Sequence, residues 1–347
     1  MWRCKRGWLE KGFGVCIDGD TQRLTNLRFA DDIVLAALSF DDLTEMIGDL
    51  ANHAAQFGLA IHPEKTKILG NVPDKKRTGK SGTEAVTVGD LRIQVLGYGE
   101  YAKYLGRRFS FADSDTVELG NRINIGWSKF HSLKHILCNR RYPLTHRLRL
   151  FDSTVTPSVL YGCESWTMTA EHQHRLRKTQ RHMLRLILQT RRRRMRQDEC
   201  TDTSSSSSLE SCDVASSPGD ADDLESWVEF IKRTTREAEI WLDKLEMKSW
   251  LETQRIRLHR WAGHVARRRD GRWSNLILDW QPEPGTRQGG TGRGRRQARP
   301  VKRWDDDLRA HVSVYTGQTD LHWRLLAEDR ASWKEMEDDF AAGGWRA

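Results

Sequence analysis

Residues 191–225 run through a basic block, a serine tract and an acidic tail with hardly any large apolar side chain. Such a segment cannot offset its own ordering entropy and is expected to be a disordered linker. The segment accordingly divides the sequence into regions before and after it. A second segment, 281–303, is rich in Gly and Arg and reads as another linker. The remaining organisation follows: a short remnant at 1–23, a mixed strand and helix region at 24–115, helices at 116–190, a basic helical region at 226–280 and a C-terminal helical segment at 304–347. The expected class is α+β.

The 347 residues are 37% hydrophobic, enough for at least one real core, although the mean hydropathy of -0.70 describes a very wet protein. A formal charge of +9 points to a polyanionic partner, with a basic but inert surface as the alternative. Six scattered cysteines without a CxxC pair read as reduced thiols in an intracellular protein. The longest apolar run, IVLAAL, falls far below the ~20 residues needed to span a bilayer, so no membrane insertion is expected.

Residues 24–30 and 33–38 read as two strands joined at Asp31 and Asp32. In the run that follows, Leu43, Met46, Ile47, Leu50, Ala54 and Phe57 share one helical face. Asp41 or Asp42 is the expected cap, and Gly58 the expected stop. Burying that stripe requires a sheet beneath it. Residues 71–90 read as a surface loop, LRIQVLG and KYLGRRFS as a further strand pair. In EHQHRLRKTQRHMLRLIL one face is formed by Leu176, Met183, Leu184, Ile187 and Leu188. Beyond the first linker, Trp227, Phe230, Ile231, Ala238, Trp241 and Leu245 recur at helical spacing.

Two carboxylates about 4 Å apart repel by roughly 1 kcal/mol in water and about 4 kcal/mol at an effective dielectric near 20. A divalent cation between Asp31 and Asp32 would reverse that cost, since hard Mg²⁺ takes carboxylate and phosphate oxygens together. An acidic turn pointing into water is the competing reading of these two residues.

The surrounding stretch NLRFADDIVL resembles the catalytic hairpin of reverse transcriptases of non-LTR (LINE-type) retrotransposons, where Phe-Ala-Asp-Asp lies at the tip of a palm-domain hairpin. Further stretches match in order. FGLAIHPEKTKIL carries Lys65 and Thr66 at the Lys-Thr positions, and YAKYLGRRFS carries Tyr104, Leu105 and Gly106 as the Tyr-Leu-Gly of the primer grip. LYGCESWTMT and its flanking helices resemble the thumb side, while RIRLHRWAGHVARR and RPVKRWDDDL look like the usual C-terminal tail.

The resemblance implies a partial palm followed by thumb-like and tail helices, and an RNA-directed DNA polymerase acting on an RNA template and a DNA primer in the nucleus. It implies Mg²⁺ or Mn²⁺ on Asp31 and Asp32, with Asp31 as the direct ligand and Asp32 assisting. Lys65 would serve the leaving phosphates, although a solvated lysine is the plainer reading. The family also uses a third aspartate on an upstream strand. Only 23 residues precede Leu24, and Asp18 and Asp20 lie too close in a turn-like context, so the expectation is a truncated, inactive polymerase remnant. His62 replaces the family's usual Asn and is expected to loosen the turn before Lys65.

Nucleic-acid contact is expected at Arg260, Trp261, Arg267 and Arg268, where an indole among arginines suits base stacking, and at Arg293, Arg295 and Arg296 in the Gly/Arg linker, which reads equally as a plain charged spacer. A catalysis-free nucleic-acid-binding protein is the alternative function. His131 and His135 have i, i+4 spacing but no third ligand and read as a solvated face. Cys163 reads as a packing residue.

Overall fold

The computed structural model describes residues 2–18, 22–70, 84–193, 224–279 and 302–343. These residues divide into two units, one built from 1–122, 162–172 and 254–347, the other from 123–161 and 173–253. Most of both linker expectations, 194–223 and 281–301, lies outside the described residues.

The first unit opens with α1 (Trp2–Glu10), the antiparallel pair β1 (Val15–Asp18) and β2 (Gln22–Leu24), and the hairpin β3 (Asn26–Phe29) and β4 (Asp32–Leu35). Helix α2 (Phe40–Ala55) follows. Its N-cap is Ser39, whose hydroxyl accepts the Asp42 N–H at 3.0 Å, rather than either aspartate. The stop falls as expected, with Gly58 at a φ of 70°. The helix packs two ways. Ile47 and Leu43 meet Ile68, Ile93 and Val95, while Met46 and Leu50 meet Trp8 and Phe13. Met46 and Ile47 each contribute about 1.5 to 3 kcal/mol by leaving water. The expected stripe ends early, because Phe57 is 71% exposed.

The sheet beneath α2 has the order β5-β7-β6, from β5 (Lys67–Leu69), β6 (Glu84–Val88) and β7 (Leu91–Leu96), with β7 parallel to β5 and antiparallel to β6. Residues 84–88, read above as loop, form a strand because Val86 and Val88 gain a buried face only once β7 pairs beside them. The expected pairing of LRIQVLG with KYLGRRFS does not form. The second stretch pairs with itself, as β8 (Ala102–Tyr104) and β9 (Arg107–Phe109).

The second unit holds the latter half of α3 (Ser114–Ser132), then α4 (Lys134–Leu137), α5 (Leu144–Val159), α6 (Ala170–Leu188) from Gln173 onward, and α7 (Trp227–Lys244). Leu176, Met183, Leu184 and Ile187 are buried as their spacing predicts, alongside Phe130, Phe151, Val155 and Val159. Gly126 lets α3 approach α5, since a Cβ there would meet Val159 at 2.3 Å. Phe151 stacks on Trp250 at 5.8 Å, and the indole donates to Thr156 Oγ1 at 2.8 Å. Buried Arg147 donates to the Leu137, Tyr142 and Ile187 carbonyls and so satisfies helix ends that would otherwise be orphaned. On α7 the buried positions are Thr234, Ala238 and Leu242, whereas Trp227, expected on the apolar face, is 63% exposed. Ser226 and Glu229 form a capping box that fixes the start of α7.

The C-terminal part of the first unit contains α8 (Trp250–Ala266) from Gln254 onward, α9 (Trp273–Asp279), α10 (Asp306–Thr316), α11 (Trp323–Glu328), α12 (Arg330–Glu335) and α13 (Glu337–Ala342). The single short segment expected here is thus four helices, closed around Leu308, Val312, Trp323, Trp333, Met336 and Phe340. Gly263 admits the Trp333 ring against α8, where a Cβ would stand 2.5 Å from it.

Candidate functional site

Register fixes the geometry of the paired aspartates. Phe29 pairs with Asp32 and Leu27 with Val34, which leaves Ala30 and Asp31 as a two-residue turn. Ala30 takes a φ of 51°, uncommon for a residue with a Cβ. The base of the hairpin is anchored: Thr25 and Asn26 are buried, the Ala36 N–H donates to the Thr25 carbonyl at 2.9 Å, and Leu35 packs into both cores. The tip is open, with Asp31, Asp32 and Phe29 exposed.

The second hairpin repeats this construction. Tyr104 pairs with Arg107, leaving Leu105 and Gly106 as the turn, with φ of 47° and 78°. Positive φ at both central residues matches the twist of a tight hairpin. Its anchor comes from α3. Glu118, whose side chain is fully buried, accepts the Arg108 N–H at 2.7 Å and the Arg122 guanidinium at 2.5 Å. Arg122 in turn donates to the Gly106 carbonyl. The E-x-x-x-R spacing of this pair is visible in the sequence as an i, i+4 match, yet only the structure shows that it grips the turn.

Burial, with the Asp32 charge nearby, raises the Tyr104 phenol above its ordinary value. The Asp32 charge of the first hairpin thus bears on Tyr104 of the second. Lys65 is exposed in a turn that the His62 carbonyl closes by accepting the Thr66 N–H at 3.1 Å and hydroxyl at 2.9 Å. Those bonds use the backbone of His62.

Behind β9, Arg107 lies 3.8 Å from Asp115, and the Asp115 carboxylate accepts the Thr167 N–H at 3.1 Å. Burial nevertheless raises that carboxyl above its usual range. His172 is buried, with Nε2 2.7 Å from Thr116 Oγ1 and Nδ1 3.2 Å from the Thr167 carbonyl. Burial pushes the Cys163 thiol up to about 12, which makes it the neutral packing residue that the sequence suggested.

The basic positions of α8 are partly engaged. Arg260 forms a two-pronged pair with Glu337, both distances 2.6 Å, and Arg267 donates to the Ala327 carbonyl at 2.7 Å. Trp261 is 38% exposed and Arg268 half-buried. Arg293, Arg295 and Arg296 lie outside the described residues. His131 stacks on Trp127 at 5.6 Å. Among the described residues no three His, Cys, Asp or Glu side chains gather as a metal cage. No described helix is long and apolar enough to cross a membrane.

Helices and short hairpins together make this an α+β protein. Over 323 residues the chain is 29% identical to a transposon-derived protein of Caenorhabditis elegans, a match covering 90% of this chain and 94% of that one. No family model matches the chain, and no solved structure does so.

Proposed function

We propose that this chain descends from the reverse transcriptase of a non-LTR retrotransposon, keeps the palm hairpin and primer-grip elements, and binds nucleic acid in the nucleus without polymerising it. The observation that supports this reading is the placement of Asp31 on a two-residue hairpin turn and of Asp32 at the head of the strand that leaves it, with the Asp32 charge acting on Tyr104 of the Tyr-Leu-Gly hairpin. The ordered motifs and the similarity to a transposon-derived protein support the same descent.

Mg²⁺ or Mn²⁺ suits this pair, since such ions bind through one or two carboxylates, several waters and phosphate oxygens. Among the described residues no third carboxylate gathers with Asp31 and Asp32, and the pair by itself suits one weakly held ion rather than a two-ion polymerase centre. Free Mn²⁺ measured by electron paramagnetic resonance tests the site. The protein is expected to remove Mn²⁺ signal weakly, and Asp31→Asn to abolish that uptake. Equal uptake by both proteins would reduce the pair to a solvated turn.

A further inference from the structure

Residues 173–193, most of α6 and its C-terminal extension, carry eight Arg or Lys and no Asp or Glu. Segment 224–246, which contains α7, holds six carboxylates (Glu225, Glu229, Glu237, Glu239, Asp243 and Glu246) against four cations (Lys232, Arg233, Arg236 and Lys244). The two segments meet through one ion pair and several hydrogen bonds. Arg181 pairs with Glu239 at 2.7 Å, Arg185 donates to Thr235 Oγ1 at 3.3 Å, and Thr190 donates to Glu237 at 3.1 Å. At the far end the Arg193 N–H reaches Glu225 at 3.0 Å. Burial and the neighbouring Arg181 charge lower the Arg185 pKa, a sign of how closely these cations are crowded.

The carboxylates are not what fastens α7 in place. Its buried residues Thr234, Ala238 and Leu242 and its capping box do that, while the Arg181–Glu239 pair is about half exposed and such pairs contribute little to stability. Glu237 and Glu239 therefore act mainly on the field above α6. On the α3 side of the same row, His182 meets Trp127 edge-on at 5.1 Å. An indole beside a cation row suits the bases of a single strand more than a duplex.

We propose that two carboxylates of α7 stand in for phosphates on α6 and its C-terminal extension, Glu239 on Arg181 and Glu237 at Thr190, and hold down the affinity of the arginine row for single-stranded nucleic acid. The proposal rests on the reading that the chain binds nucleic acid, and its test separates the two. The probe is a fluorescent single-stranded DNA 20-mer, titrated against the full chain from low to physiological salt. The Glu237→Gln/Glu239→Gln double variant, with an unchanged circular dichroism spectrum, is expected to bind about tenfold more tightly at low salt. Its log-log salt slope should steepen by about 1.4, as two further phosphates are engaged at ~0.7 each for single strands.

Asp243→Asn removes a charge from the same helix at a position with no described partner on α6, and should change affinity far less. The α7 proposal fails alone if the wild type binds and the double variant binds no better, or if Asp243→Asn has as large an effect. It fails together with the nucleic-acid reading if neither wild type nor variant binds.

Discussion

Replacing Glu118 with Ala is expected to destabilise the first unit by about 3 to 5 kcal/mol, the range for removing one partner of a buried ion pair. The side chain is fully buried, and its loss removes the carboxylate that the Arg122 guanidinium, itself 8% exposed, pairs with beside its bond to the Gly106 carbonyl. It also orphans the Arg108 N–H. Chemical denaturation should show the loss, and a Glu118→Leu/Arg122→Met double variant should recover much of it, because a buried pair can be replaced by apolar residues of similar volume. A second readout is specific to the hairpin. Once β8 and β9 loosen, Tyr104 moves into water and away from Asp32, and its phenol should titrate closer to the usual value, seen by ultraviolet absorbance. A Tyr104 titration unchanged in Glu118→Ala would show that the pair does not position this hairpin.

Acidification is expected to act through His259. Its ring is 1% exposed, stacked on Trp333 at 4.0 Å and 5° and facing Phe340 at 5.4 Å, and neither ring nitrogen has a hydrogen-bond partner. Burial, with the His311, Arg260 and Arg267 charges around it, lowers its pKa from 6.5 to about 3. Because the folded value is depressed, the native state holds this imidazole neutral while the unfolded chain takes a proton below 6.5. The stabilisation is complete above pH 6.5 and is lost as pH falls towards about 3. Between pH 7 and pH 4 that loss comes to about 3 kcal/mol.

His311 adds to the same trend. Burial lowers its pKa, although the Asp339 carboxylate at 2.8 Å opposes the shift. Substituting His259→Phe keeps an aromatic ring against Trp333 and should flatten the stability profile by about 3 kcal/mol over that interval. The check is urea denaturation at both pH values. An equal acid loss in the wild type and the variant would remove His259 from the account.

What the sequence disclosed and what it hid differ in the range of the contacts involved. The α6 stripe of Leu176, Met183, Leu184 and Ile187 was legible because helical periodicity is a local property. So was the hairpin, since two apolar runs flank it closely, although its turn is Ala30–Asp31 and Asp32 already belongs to the second strand. The strand at 84–88 was hidden in a Gly-, Lys- and Thr-rich surround, because its strand character comes from pairing with β7. The strand at 67–69 was legible where the pattern resumes after Pro63, and only its parallel pairing with β7, remote in sequence, was hidden. Helix α1 was missed because, among its described large side chains, Trp8 is fully buried and Leu9 exposed, which leaves no stripe to read. The C-terminal helices gave little signal for the same kind of reason: Trp323, Trp333 and Phe340 form a core only across several short helices. At the candidate site the aspartates and the Tyr-Leu-Gly turn could be named from sequence. Their proximity, and the Glu118–Arg122 grip behind them, could not.

The descent-without-catalysis reading is tested most directly by primer extension on an RNA template annealed to a DNA primer, with Mg²⁺ or Mn²⁺ and all four deoxynucleotides. With only Asp31 and Asp32 at the hairpin tip, the full chain is expected to bind the primer–template and to add no nucleotide. Extension by the wild type that disappears in Asp31→Asn would contradict the account and make the hairpin a working polymerase centre.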